Sequence, residues 1–94
     1  MFAIAFDLVT ANVATHHPVS ISKAYSDIAL IMGKYGFEWI EGSVYLSMSD
    51  NLVPLTSVME ELKATPWFPL CVRDVRGFRV ESWSDFTAFI KGKP

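Results

Sequence analysis

Cysteine is almost missing from this chain: Cys71 is the only one in 94 residues. No internal disulfide can form, and no Cys-x-x-Cys pair exists for metal or redox chemistry. A surplus of positive charge is missing too. Eight lysines and arginines face 10 acids, for a net charge of −2. Neutralised phosphates supply most of a nucleic-acid binder's affinity. Any RNA must therefore be met by a local basic patch, weakly and with strong salt dependence. No apolar run approaches the roughly 20 residues of a membrane span. The apolar start, Met1-Phe2-Ala3-Ile4-Ala5-Phe6, has no basic leader, and Asp7 cuts it short of an export signal's core. The expected location is the cytoplasm. Phosphate-binding glycine loops, dinucleotide fingerprints and nucleophile elbows are absent.

Apolar side chains are plentiful: 51% of residues are hydrophobic and 14% aromatic. The length suits one domain, residues 1–94, and not two. A domain this small buries a modest share of its surface. Surplus apolar surface in so short a chain is most simply covered in a symmetric homodimer.

Residues 2–8 are a continuous apolar run ending in one acid, the pattern of a buried central strand. Phe2, Ile4, Phe6 and Leu8 share one face; Ala3, Ala5 and Asp7 share the other. Residues 9–19 read as a loop closed by His16-His17-Pro18. Ser20 or Ser22 caps a helix, in which Ile21, Tyr25, Ile28, Met32 and Tyr35 recur at helical steps and Gly36 marks the end. Residues 37–40 and 43–48 read as two strands about a tight turn at Glu41-Gly42. On the second, Val44, Leu46 and Met48 face one way, and Ser43, Tyr45 and Ser47 the other. Ser49 or Asp50 opens a second helix with Leu52, Leu55, Val58, Met59 and Leu62 inward and Pro54 in the first turn. Residues 65–69 read as a stiff connector and residues 70–80 as a fourth strand. The alternation changes phase near Gly77, which predicts a bulge or break there. Ser82 or Ser84 caps a short terminal helix carrying Phe86, Phe89 and Ile90. The predicted fold class is α/β (α+β). The order is that of a ferredoxin-like βαββαβ domain with an extended or broken last strand and a short C-terminal helix.

Asp7 is the most informative polar residue. A carboxylate ending a central strand costs desolvation energy unless it is paired, hydrogen-bonded or used. It either accepts backbone N–H bonds from the next loop or serves in a site. His16 and His17 lack nearby partners at metal-ligand spacing, and a hydrogen-bonded loop role suits His17 better. Ser43 and Tyr45 share a face with Asp7 if their strand pairs beside the first; otherwise Ser43 completes the hairpin and Tyr45 covers the sheet. Arg73, Arg76 and Arg79 form the densest basic cluster and are the candidates for phosphate contacts. Ion pairing with Asp74 and Glu81 is their alternative use.

These segments together resemble the virulence-associated protein D (VapD) family, nearly end to end. The resemblance runs through Ala3-Ile4-Ala5-Phe6-Asp7-Leu8, His17-Pro18, Ala24-Tyr25-x-Asp27-Ile28, Gly36-Phe37-Glu38-Trp39 and Gly42-Ser43-Val44-Tyr45. Its most specific part is Val72-Arg73-Asp74-Val75-Arg76-x-Phe78 followed by Glu81-x-Trp83-Ser84-Asp85-Phe86-Thr87. It implies a ferredoxin-like fold related to the CRISPR-associated Cas2 nucleases, a homodimer and endoribonuclease activity on single-stranded RNA or mRNA. It also implies a toxin role beside a small antitoxin protein. The family's essential acid falls on Asp7, and Ser43 is the second catalytic candidate; Arg73 and Arg76 are the RNA-binding candidates. Glutamine usually precedes the Gly-Ser pair, where this chain has Glu41. The added charge bears on RNA affinity or base preference.

One carboxylate per chain is a thin catalytic set, and a two-fold axis would bring two copies of Asp7 together. Two facing acids could hold Mg²⁺ and activate a water. They could equally share a proton, so that the ribose 2′-hydroxyl attacks without metal. Both routes stay open, and the cofactor is undetermined. The competing class is a non-catalytic dimeric adapter that binds nucleic acid or protein.

Overall fold

The alternation in the first seven residues decides the layering. The computed structural model describes residues 1–92. Strand β1 (Phe2–Leu8) buries Phe2, Ile4, Phe6 and Leu8 under the helices. Helix α1 (Thr10–His16) follows at once, then α2 (Ile21–Lys34), the hairpin β2 (Glu38–Glu41) and β3 (Val44–Ser47), and helix α3 (Leu52–Ala64). The four-residue helix α4 (Phe68–Cys71) leads into β4 (Val72–Arg79), and α5 (Thr87–Ile90) comes last. The sheet order is β2-β3-β1-β4, with every pair antiparallel. This is the ferredoxin-like arrangement, with β1 central and β2 and β4 at the edges.

The core lies between one sheet face and the helices. Ile4, Val13, Ile28, Met32, Val58, Leu62 and Cys71 are fully enclosed. Helix α2 presents Ala24, Ile28 and Met32 at four-residue steps. Its start is capped by Ser20, whose hydroxyl accepts the Lys23 N–H at 3.0 Å. Gly36, with φ +81, reverses the chain after it. On α3 the cap is Asn51, accepting from Val53 N–H at 2.9 Å, in place of Ser49 or Asp50. Leu52, expected inside, is exposed.

Three further expectations are corrected. Residues 9–19 are largely helical, because Val13 reaches the core and the Val9 N–H is held by the Cys71 carbonyl at 2.8 Å. The stiff connector stops early: Phe68 and Pro69 already belong to α4, and residues 70–71 complete it. Strand β4 is neither broken nor bulged at Gly77. Gly77 pairs with Ile4, and a Cβ added there would stand 2.9 Å from the Leu55 side chain. Glycine is there to admit a side chain from α3, and the phase change marks a close approach. The strand runs on past Gly77: Phe78 pairs with Ala3, Arg79 with Phe2, and Val80 N–H donates to the Met1 carbonyl at 2.9 Å.

Surface carboxylates tie the helices together. Glu61 on α3 accepts from Lys34 Nζ at 2.7 Å and the Tyr35 hydroxyl at 2.8 Å. These partners hold its carboxyl below the usual 4.5. Asp27, bonded to His17 and Lys23, is likewise held below 3.8. A depressed carboxylate adds stability that is full above its unfolded value and is lost as pH falls through its folded one. Thermal melts should therefore be flat from neutrality to about pH 5 and fall progressively below the ordinary values of 4.5 and 3.8. A melting temperature that holds constant down to pH 3 would refute this linkage.

Candidate active site

Asp7 closes β1 on the sheet face that carries no helices, with its side chain 58% exposed. The neighbouring edge strand supplies its surroundings. Asp74 lies directly opposite Asp7, and Arg76 opposite Ala5. The ladder then slips between Asp7 and Leu8, whose partner is Val72. Arg73 is the extra residue, a β-bulge of the kind that re-aims a side chain beside a site. Its Nη1 donates to Asp7 Oδ2 at 3.3 Å. Arg76 Nε reaches both oxygens of Asp74, at 3.1 and 2.9 Å.

Two like charges directly opposite each other on adjacent strands repel. Here each acid carries its own arginine, both 63% or more exposed. Exposed pairs of this sort are worth about 0–1 kcal/mol. Pairs this weak leave both guanidinium groups open to another anion. Asp7 and Asp74 are also the carboxylates that could hold a divalent cation. Among the described residues no group of three metal-ligating side chains assembles, so further ligands would have to come from water, substrate or a second copy.

The other candidates separate. Arg79 stacks over the Phe2 ring at 5.8 Å and lies 3.8 Å from Asp50, at the opposite end of β1 from Asp7. Tyr45 pairs with Ile4, and its ring sits 6.3 Å from Phe6 on the buried face; it does not share a face with Asp7. Burial pushes its hydroxyl above the usual 10.0. The Ser43 carbonyl accepts the Phe6 N–H at 3.1 Å, which sets the residue across from Phe6, in the turn at the Asp7 end of β1 and, like Tyr45, out of register with the face of Asp7. That turn is Gly42-Ser43, one residue later than expected, with Gly42 at φ +47. His17 is a buried structural residue: Nδ1 accepts from Val19 and Ser20 N–H, and Nε2–H donates to Asp27 Oδ2 at 2.8 Å. His16 ends α1 at the surface. Sequence reasoning missed the pairing of Asp74 with Asp7. The Arg-Asp-Val-Arg string was its only signal, and register alone reveals the partner.

The chain has relatives of known name. The chain is 52% identical over 91 residues to the "Endoribonuclease VapD homolog" of Neisseria gonorrhoeae, covering 97% of this chain and 99% of that one. It is 46% identical over 92 residues to "Endoribonuclease VapD" of Dichelobacter nodosus, covering 98% and 99%. The chain belongs to the VapD family. A third relative, "Endoribonuclease VapD" of Haemophilus influenzae, is 43% identical over 91 residues, covering 97% and 99%. No protein-family model matches. In this VapD-family chain one exposed acid stands at the end of the central strand, and a bulged edge strand places an arginine beside it. No described helix is long and apolar enough to cross a membrane.

Proposed function

We propose that this chain is an endoribonuclease that cleaves single-stranded RNA, mRNA included, with Asp7 as its catalytic acid–base group. The observation that carries the reading is the exposed Asp7 carboxylate with the bulge residue Arg73 turned onto it. Asp7 accepts the proton of the ribose 2′-hydroxyl; in the alternative route Asp7 and Asp74 would hold Mg²⁺, which would supply an activated water; Arg73 and Arg76 hold the phosphate, and Ser43 in the turn at the end of β1 is the second catalytic candidate. End-group analysis of the products decides the route. A 2′,3′-cyclic phosphate formed in EDTA means attack by the 2′-hydroxyl without metal. Cleavage that stops in EDTA and returns with Mg²⁺ means attack by water.

The working unit in this proposal is a homodimer in the cytoplasm that brings two Asp7 carboxylates together. Exposed Phe78, Phe86, Phe89 and Ile90 support it as apolar surface in search of cover. Light scattering should give twice the chain mass, and a micromolar monomer that still cuts RNA would refute the shared-acid arrangement. The toxin role beside a small antitoxin protein rests on the family resemblance. Induced expression should arrest growth, and Asp7→Asn should relieve the arrest.

The arginines make a separate prediction. Arg73→Ala and Arg76→Ala should each weaken RNA binding and flatten its dependence on salt. Each lost phosphate contact should lower the slope of log K against log salt by about 0.7 for a single strand. Unchanged affinity and slope in both variants would leave these residues to their ion pairs alone.

A further inference from the structure

The turn at the Asp7 end of β1 is pinned on both sides of Ser43. On the far side, the Ser43 carbonyl accepts the Phe6 N–H at 3.1 Å. On the near side, the Gly42 carbonyl accepts the Trp39 indole N–H at 2.8 Å. Trp39 pairs with Tyr45, and Tyr45 with Ile4. Directly opposite residues share a face of a sheet, so Trp39 stands on the helix side of the edge strand β2, away from the face of Asp7. Its ring is 62% exposed. Burial therefore gives little reason for a tryptophan here, and the single N–H of its indole goes to the turn.

The turn needs this support. Trp39 pairs with Tyr45 and Glu41 with Val44, so Ile40 is an extra residue and the ladder is disrupted just before the turn. The turn begins at Gly42, with φ +47, and glycine resists backbone rotation least. The peptide between Gly42 and Ser43 carries the carbonyl that Trp39 holds. Rotating that peptide changes ψ of Gly42 and φ of Ser43, and so swings the Ser43 side chain. Strand alternation does not aim Ser43 at Asp7, so the turn sets the direction of its hydroxyl.

We infer that Trp39 is a positioning residue for Ser43: its indole N–H locks the peptide between Gly42 and Ser43 across the β2 bulge, and so fixes the Ser43 hydroxyl at the Asp7 end of β1. The inference rests on the proposed cleavage, in which Ser43 is the second catalytic candidate. Groups that act on a bound substrate have to be held within about 0.5 Å of their working place. A misplacement of about 1 Å can cost about 100-fold in rate. Trp39 stands on the other face and acts through the turn.

The test separates position from fold. Trp39→Phe keeps a ring and removes the N–H; the benzothiophene analogue of tryptophan, placed at position 39, replaces only that N–H by sulfur. In either variant kcat should fall about 10- to 100-fold, with KM for a single-stranded RNA unchanged and the melting temperature moved by only a few degrees. The amide signals of Ser43 and Phe6 in nuclear magnetic resonance spectra of the RNA-free protein should shift. In a Ser43→Ala background, Trp39→Phe should have no further effect on kcat, because the side chain it positions is gone. Wild-type kcat in both variants, or losses that add to that of Ser43→Ala, overturns the assignment. A rise in KM at constant kcat also overturns it, and makes Trp39 part of an RNA-binding surface. If the wild-type protein cuts no RNA and the Ser43 amide still shifts in Trp39→Phe, the support of the turn stands and the nuclease reading falls. Normal cleavage by the wild type with unmoved amide signals in both variants does the reverse.

Discussion

Asp7→Asn should abolish RNA cleavage and leave the protein folded. General acid–base groups contribute about 10²–10⁴-fold, so the loss should take the rate to the limit of detection. The structural cost is small. Asp7 is exposed and has one arginine partner at 3.3 Å, a pair worth about 1 kcal/mol at most. Removing its charge also relieves repulsion from Asp74 across the ladder. The melting temperature should move by only a few degrees. A folded Asp7→Asn protein that cuts RNA at the wild-type rate would return Asp7 to the status of a surface acid, and the adapter reading would take its place.

The largest expected effect on stability is at His17. Its ring is almost fully enclosed and edge-on to Trp67, with centroids 4.9 Å apart. Through Nδ1 it holds the Val19 and Ser20 N–H groups that open α2, and through Nε2 it holds Asp27 about two turns further along. His17→Ala removes three hydrogen bonds, each worth about 0.5–1.5 kcal/mol, and leaves a void against Trp67. A loss of about 3 kcal/mol is a large part of the roughly 5–15 kcal/mol a domain holds. It corresponds to a fall in melting temperature of about 12–24 °C. Calorimetry gives the number directly. Cleavage per folded molecule should be unchanged, because His17 lies in the helix layer, across the sheet from Asp7. Lost cleavage in a protein that melts normally would instead make His17 part of the chemistry.

The readability of this fold from sequence followed how strongly each segment repeats. The seven residues of β1 and the four-residue steps of α2 show their buried faces without ambiguity, and Ser20 and Gly36 mark the ends of α2 by known chemistry. Helix α1 has a single buried residue, Val13, so it offers no period to detect. Helix α4 is one turn long and carries Pro69 in its first turn, which reads as a connector. Gly77 looked like a break because its reason lies 22 positions away, in Leu55. The same limit applies to the site. Asp7 stood out as an acid ending an apolar strand. Arg73 and Arg76 stood out as a cluster. Their pairing with Asp7 and Asp74 depended on a one-residue slip in the ladder, and no local pattern encodes a slip. The face of Tyr45 was misassigned for a related reason: alternation separates two faces without saying which one the helices cover.

Arg73 is the one residue of β4 that the ladder can do without. Loss of its codon would set Val72 and Asp74 side by side in a regular strand, with valine still inward opposite Leu8 and aspartate still outward opposite Asp7. Both faces would survive and the bulge would vanish, while Asp7 would lose its cation. Such a deletion is the rare kind that a sheet tolerates and a site does not. Under the proposed mechanism a chain without Arg73 would keep its sheet and lose its cleavage, so one missing codon would separate the requirements of the fold from those of the chemistry.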